Sequence, residues 1–198
     1  MKPFYTLILL SLFQSTAYGQ IQTPVRAVGV TIALPWVSAY EFHDYEVNRP
    51  SSKAGFFGIG IGVYYKHNKN KFSLNGGMTA DLPAPMGPID FGKEGTRVAI
   101  GAQYAELLLH RNIYRRFGGI AGINFTNYRF RLFSYEDNIP SFKKNDPTLG
   151  LTVGIEYAIS RKFFAALFYR PALVSFETKK YWHLITLDAR FDINCWTK

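Results

Sequence analysis

The sequence predicts an all-β protein, an eight-stranded antiparallel up-and-down transmembrane β-barrel, and three observations carry that expectation. From Leu149 to Ser160 the residues alternate at every step. Because a strand sends successive side chains to opposite faces, one face holds Leu149, Leu151, Val153, Ile155, Tyr157 and Ile159, and the other holds Gly150, Thr152, Gly154, Glu156 and Ala158. A large apolar face opposite a small polar one fits lipid outside and a crowded polar lumen inside. The second observation is that long and short connections take turns along the chain. The third is a composition of 47% hydrophobic and 17% aromatic residues without any stretch of about 18 apolar residues. A spanning protein without such helices must be a closed barrel, since backbone groups facing lipid have to pair within the chain.

In chain order, residues 1-19 read as a secretory signal. Met1-Lys2 is a short basic start, Phe4 to Phe13 is apolar, and Ala17-Tyr18-Gly19 offers small residues for cleavage before Gln20. That apolar run is ten residues long and contains Thr6 and Ser11, too short and too polar for a membrane anchor. Lipid attachment would need a cysteine just after it, and the chain's one cysteine is Cys195. Residues 20-198 then form one barrel domain, with neither a linker nor a long repeat to divide them. A single cysteine also excludes an internal disulfide and any multi-cysteine metal site.

The candidate strands are 25-33, 55-66, 71-80, 96-110, 117-133, 148-159, 163-176 and 181-195, an even number as bacterial single-chain barrels require. In the second, Gly58, Gly60 and Gly62 alternate with Phe57, Ile59, Ile61 and Val63, and small inward residues suit a narrow barrel packed by side chains. In the last, Thr186, Asp188, Arg190, Asp192 and Asn194 share one face and Ile185, Leu187, Ala189, Phe191 and Ile193 the other. Arg170 and Glu156 are expected to join Asp188 and Arg190 in an interior ion-pair network. A lipocalin-like secreted cup is the soluble alternative, but its solvated exterior would rarely be glycine.

The connections at 34-54, 81-95 and 134-147 are long and rich in proline, and should face outside. His67-Asn68-Lys69-Asn70, Arg111 to Arg116 and Ser160-Arg161-Lys162 are short and should be periplasmic. The seventh, Glu177 to Lys180, is external by parity yet brief. Aromatic residues fall where strands would cross the two interfaces. The expected outer girdle is Phe56, Phe57, Phe133, Tyr135, Phe176, Tyr181 and Trp182. The expected inner girdle is Tyr64, Tyr65, Phe72, Tyr114, Phe163, Phe164 and Trp196.

The segment Tyr157-Ala-Ile-Ser-Arg-Lys-Phe-Phe-Ala-Ala-Leu-Phe-Tyr-Arg-Pro171, with His183-Leu-Ile-Thr-Leu-Asp188 in the closing strand, resembles small outer-membrane β-barrel proteins of the Bacteroidota. In architecture the chain is similar to the OmpA/OmpX-type barrels. The resemblance implies an outer-membrane location, outer-membrane lipids and lipopolysaccharide as surroundings, and assembly by the barrel-assembly machinery. Trp196 is followed by Thr197 and Lys198, where such barrels usually end on an aromatic residue. The chain is also expected to lack a peptidoglycan-binding domain and to be monomeric.

The net charge of +9 becomes +8 once Lys2 leaves with the signal. Export argues against nucleic acid, and basic strand ends suit anionic headgroups. Some barrels of this size remodel lipid A with a histidine that activates a hydroxyl or water. The candidates here are His43-Asp44 and His183 near Ser175 and Glu177, but alternation turns His183 with Ile185 toward lipid. The glycines of 58-62 fit strand alternation and open no helix, which excludes a dinucleotide loop. Asn124-Phe-Thr126 matches a glycosylation pattern by chance. No catalytic, cofactor-binding or metal residues are assigned, and no cofactor is expected. Eight strands leave an interior only wide enough for side chains, which disfavours a pore. The expected role is structural, or the binding of an unidentified external ligand through the outer loops. Cell fractionation should recover the protein in the outer membrane as a heat-modifiable band, and recovery from the soluble periplasm would defeat the assignment.

Overall fold

Alternating segments become eight strands in the computed structural model, which describes residues 26-43, 50-82, 96-134, 142-177 and 182-198. They are β1 (Arg26–His43), β2 (Pro50–His67), β3 (Asn70–Leu82), β4 (Thr96–Tyr114), β5 (Phe117–Ser134), β6 (Phe142–Ala158), β7 (Phe163–Ser175) and β8 (Trp182–Thr197). Each strand pairs antiparallel with the next, and β1 closes the ring on β8 from Ala27 opposite Thr197 to Phe42 opposite Trp182. Closure leaves no free edge, the condition that backbone hydrogen bonding imposes in lipid. The expected signal at 1-19 and the expected start at Gln20 lie outside the described residues.

Three tight connections sit at the end that also carries both termini of the barrel. Asn68 and Arg115 adopt φ of 54° and 47° in the first two. Asparagine tolerates that left-handed region better than most residues. In the third, Ser160 Oγ accepts hydrogen bonds from the backbone N–H of Lys162 and Phe163, a serine turn of the ordinary kind.

The two faces of each strand separate as the alternation requires. Ile59, Ile61 and Val63 on β2, Leu107 and Leu109 on β4, Ile123 and Phe125 on β5, and Leu151, Val153 and Ile155 on β6 are all exposed. The exposed apolar surface continues around the ring through Leu167, Leu187, Phe191, Ile193 and Ile32. Soluble monomers rarely expose contiguous apolar patches beyond a few hundred Å², so a continuous apolar belt marks a wall that faces lipid. The lipocalin-like alternative fails here, because its apolar side chains would point inward.

The strands run further outward than the sequence implies. Residues 34-43 and 50-54 are strand rather than loop, as are residues 81-82, Ser134 and residues 142-147. Proline misleads at these places. Pro35 lies where β1 bulges against β8, with Trp36 as the extra residue between Pro35 and Val37. Pro147 lies just beyond the last β6–β7 pair, Thr148 with Ser175. Bulges and edges are the sites where a strand tolerates a missing N–H. Of the three expected outer loops, residues 44-49, 83-95 and 135-141 lie outside the described residues.

The girdles need correction as well. Tyr65, Phe72, Tyr114, Phe163 and Trp196 are exposed near the periplasmic end, as are Phe57 and Phe176 toward the other. Tyr64 and Trp182 are buried in the lumen, and Phe164 turns inward beneath Lys71. Neighbours in a strand cannot share a face: with Tyr65 and Phe163 outside, Tyr64 and Phe164 must be inside. Trp36, which the sequence analysis placed in a loop, supplies an exposed ring at the outer side. Phe133, Tyr135 and Tyr181 have no described side chains.

Glycines on the inner wall make room for rings from neighbouring strands. Gly60 on β2 and Gly77 on β3 stand opposite each other, and Tyr104 on β4 is registered against Gly77. A Cβ at Gly77 would meet the Tyr104 hydroxyl at 2.5 Å and its ring at 2.6 Å, and one at Gly60 would meet the hydroxyl at 3.3 Å. Gly77→Val should therefore force the ring aside and lower the midpoint of the heat-induced gel shift, by an overpacking cost of about 1–3 kcal/mol. An unchanged midpoint would show that the ring has space elsewhere.

Candidate functional site

The polar faces of eight strands converge on a narrow lumen, and its contents fall into three layers. At the outer end an aromatic cap is built from Tyr40, Phe42, Ile100, Tyr128, Phe130, Trp182 and Leu184. The Trp182 ring lies between Phe42 and Tyr128, with centroids 5.4 Å and 4.6 Å away. Its Nε1–H donates to Asp146 Oδ2 at 2.8 Å, and Ser175 Oγ donates to the other carboxylate oxygen at 2.7 Å. A buried indole keeps its hydrogen bond in this way. Tyr40 similarly donates to Thr79 Oγ1 at 2.7 Å.

The middle layer is organised around Arg170. Its Nε and Nη2 donate to the two oxygens of Glu106 at 2.9 Å and 3.3 Å, and Nη1 donates to Thr186 Oγ1 at 2.8 Å. The rings of Tyr104 and Phe168 flank the guanidinium, each centroid 4.6 Å from its central carbon. Both ionic partners are buried, at 0% and 4% exposure. A charge so far from water persists only with this kind of forked pairing and full hydrogen bonding. Thr152 adds a donor to Glu106 at 3.3 Å. Nearby, Arg190 lies over the Phe168 ring, while its Nε and Nη1 and Asp188 Oδ1 are buried with no partner.

The periplasmic layer holds two more charged groupings. Lys71 Nζ is 2.9 Å from Asp192 Oδ2, Thr31 donates to Asp192 Oδ1 at 2.6 Å, and Tyr64 donates to Asn194. Beside them, Ser73 Oγ is 3.0 Å from His110 Nε2, and His110 Nδ1 is 3.0 Å from Glu156 Oε2.

Charged side chains do pair in the interior as the sequence implies, with partners drawn from outside the four residues expected there. Arg170 and Glu156 both point inward, but Arg170 is paired with Glu106 and Glu156 with His110. Glu106, His110, Lys71 and Ser73 complete these groupings and were not expected from the sequence. Alternation along β4 carries the signal for two of them, because Tyr104, Glu106, Leu108 and His110 share one face against Ala105, Leu107 and Leu109.

Of the histidines named as enzyme candidates, His183 is not assembled into a site with Ser175. His183 faces outward and stacks on Tyr169, whose hydroxyl is 2.8 Å from His183 Nδ1. Ser175 is turned to Asp146 instead. His43 closes β1, and its side chain and Asp44 lie outside the described residues. Ser73, His110 and Glu156 follow the order of nucleophile, base and orienting carboxylate. Ser73 and His110 are nevertheless 2% and 1% exposed, and Ser73 Oγ already accepts from Asn75 Nδ2 at 3.0 Å. The adjoining backbone groups are committed to the β3–β4 ladder, so nothing resembling a free pair of oxyanion donors lies beside the serine. The grouping fills and ties the lumen. Among the described residues there is no cluster able to hold a metal ion.

No protein-family model matches the sequence, and no curated protein does. Solved structures do share the fold. The attachment invasion locus protein Ail of Yersinia pestis is 9% identical, with a TM-score of 0.58 over 86% of this chain and 100% of that one. Its complex with the heparin analogue sucrose octasulfate matches with a TM-score of 0.54 at 10% identity, over 84% and 99% of the two chains. Neisserial surface protein A is 12% identical, with a TM-score of 0.53 over 83% of this chain and 97% of that one. The fold is that of small outer-membrane β-barrels, and the apolar belt gives this chain the lipid-facing wall such barrels need.

Removing one member of the buried ion pair should cost far more than removing both. Arg170→Ala or Glu106→Gln is expected to lose about 3–5 kcal/mol, and Glu106→Leu with Arg170→Met to recover most of it. The heat-shift midpoint in detergent gels measures each variant. Equal losses in the single and double variants would refute the pairing as the cause.

Proposed function

We propose that the protein is a non-transporting, non-catalytic surface barrel whose role is structural or ligand-binding, exerted through its outer rim and loops. The observation that carries this reading is the doubly closed lumen. An aromatic cap seals the outer half, and three groupings of charged and polar side chains fill the remainder, so neither solute nor substrate has a path through it. The cap also gives the strands that project beyond the lipid belt a core of their own. A rim with a packed core holds its loops in fixed relative positions, which is what a binding surface needs.

The likeness to Ail and Neisserial surface protein A supports a small surface barrel, and the sucrose octasulfate complex shows that the Yersinia barrel takes a polysulfated ligand. The finer resemblance to Bacteroidota barrels rests on Tyr157 to Pro171 and His183 to Asp188, with the barrel-assembly machinery as the implied assembly partner and a monomer as the working form. A lipid-modifying enzyme is the competing reading, and no observation in the lumen or on the wall favours it.

Planar-bilayer recordings of the refolded barrel should show no large stable conductance. Lipid A mass spectra from cells with and without the protein should coincide. A stable open pore, or a shifted lipid A profile, would replace this reading with transport or with catalysis.

A further inference from the structure

The outward wall of β3 to β6 changes character at one level. On β5 the exposed apolar residues run from Phe117 to Phe125 and give way to Asn127, Arg129 and Arg131. The register aligns this change with its neighbours. Gln103 on β4 stands opposite Asn127, Gly101 opposite Arg129 and Ala99 opposite Arg131. On β6, Leu149 stands opposite Phe125, Pro147 opposite Asn127, Asn145 opposite Arg129 and Lys143 opposite Arg131.

A recess of about 230 Å³ opens at this level, with Ala80, Ala99 and Gly101 as its floor and Gln103, Arg129 and Arg131 around it. At about 30 Å³ per water molecule it has room for several. Arg129 is fixed there by Gln103, which accepts from its Nη2 at 2.7 Å, while Arg129 Nε is buried with no partner in the protein. Above the small floor residues the Arg131 side chain is exposed and Arg129 is half-buried. Lys143 adds a third cation opposite Arg131. No carboxylate faces outward on this stretch among the described residues. On the other side of the barrel the outward positions above the belt are Glu41, Ser52, Ala54 and His183, so among the described side chains the outward cations at this level are on β5 and β6.

Height decides what can reach them. Four residues separate Phe125 from Arg129, roughly 13 Å along the strand at about 3.3 Å each, or about 10 Å of height at a tilt near 40°. That places the recess at the polar margin of the outer leaflet rather than on the top of the barrel. A planar guanidinium matches the oxygens of a phosphate, and an acyl chain below such a headgroup would lie along Met78, Phe125 and Leu149.

We propose that this recess binds a phosphate on the headgroup of an outer-leaflet glycolipid, so that one side of the barrel carries a specific lipid rather than generic solvent. The site goes beyond the rim-binding role and is independent of it, since the closed lumen contributes none of its residues.

Native mass spectrometry of the full barrel in detergent, titrated with bisphosphorylated lipid A and with its phosphate-free form, tests the site. The barrel should retain the bisphosphorylated form and release the other. Arg129→Gln with Arg131→Gln should weaken retention at least tenfold. Ala99→Leu, which fills the recess and alters no charge, should weaken it as well, and it decides the matter if the double variant loses its heat-modifiable fold. Sucrose octasulfate should fail to displace the lipid. Equal retention of the phosphate-free form, retention unchanged in the folded variants, or displacement by sucrose octasulfate at comparable concentration would overturn the proposal, the last by assigning the patch to a soluble polyanion.

Discussion

A backbone that crosses lipid has to find all its hydrogen-bond partners within itself, and with eight strands the only arrangement that achieves this is a closed ring of small radius. Once β1 is paired to β8, the interior is fixed as a column that side chains can fill and solvent cannot. Everything that distinguishes this lumen follows from that narrowness. Glycines at positions 60 and 77 exist because a ring from β4 must lie over them. Arg170 can be ionised without water because Glu106, Thr186 and two aromatic rings are all within reach across the short diameter. In a wider barrel the same arginine would meet water first, and the pairing would matter less.

The outer half answers to a different solvent. Beyond the lipid belt both faces of the wall can be wetted, so the strands that project there need some other reason to stay paired. The cap of Phe42, Tyr128, Phe130 and Trp182 supplies it, burying large rings where the lower lumen buries charges. Burial of this kind contributes roughly 1.5–3 kcal/mol per large apolar side chain, and Asp146 keeps the indole in register. The barrel is thus two cores stacked in one tube, an ionic one within the membrane and an aromatic one above it.

The sequence makes the wall legible and leaves its contents obscure, for a physical reason. Alternation is a property of adjacent residues, so the faces of 149-159 and 181-195 can be assigned without knowing any neighbour. The partners of an inward charge come from strands far away in the chain. Glu106 and Arg170, Lys71 and Asp192, and His110 and Glu156 meet only because register and tilt bring them to one height. Arg170, Glu156, Asp188 and Arg190 were correctly turned inward from the sequence, yet none of their partners could be named. The errors at Tyr64, Phe164 and Trp182 arose from grouping aromatics by position along the strand while neglecting the alternation. Pro35 and Pro147 hid strand because a bulge or an edge, invisible without the register, removes the usual objection to proline.

A filled lumen moves the chemistry of this molecule to its outside, and the outside is uneven. A barrel held only by generic hydrophobic matching would carry its polar transition evenly around the ring. Here β5 and β6 turn cations outward at the level where β1, β2 and β8 present Glu41, Ser52, Ala54 and His183. Burying Arg129 Nε without a protein partner costs free energy. A stretch of wall that keeps its floor small and turns Arg131 and Lys143 out uncovered beside it is organised around something outside the chain. The asymmetry therefore gives the barrel a defined rotational face in the membrane, one side turned to anionic lipid. Whatever the loops above bind is presented in a fixed relation to that side.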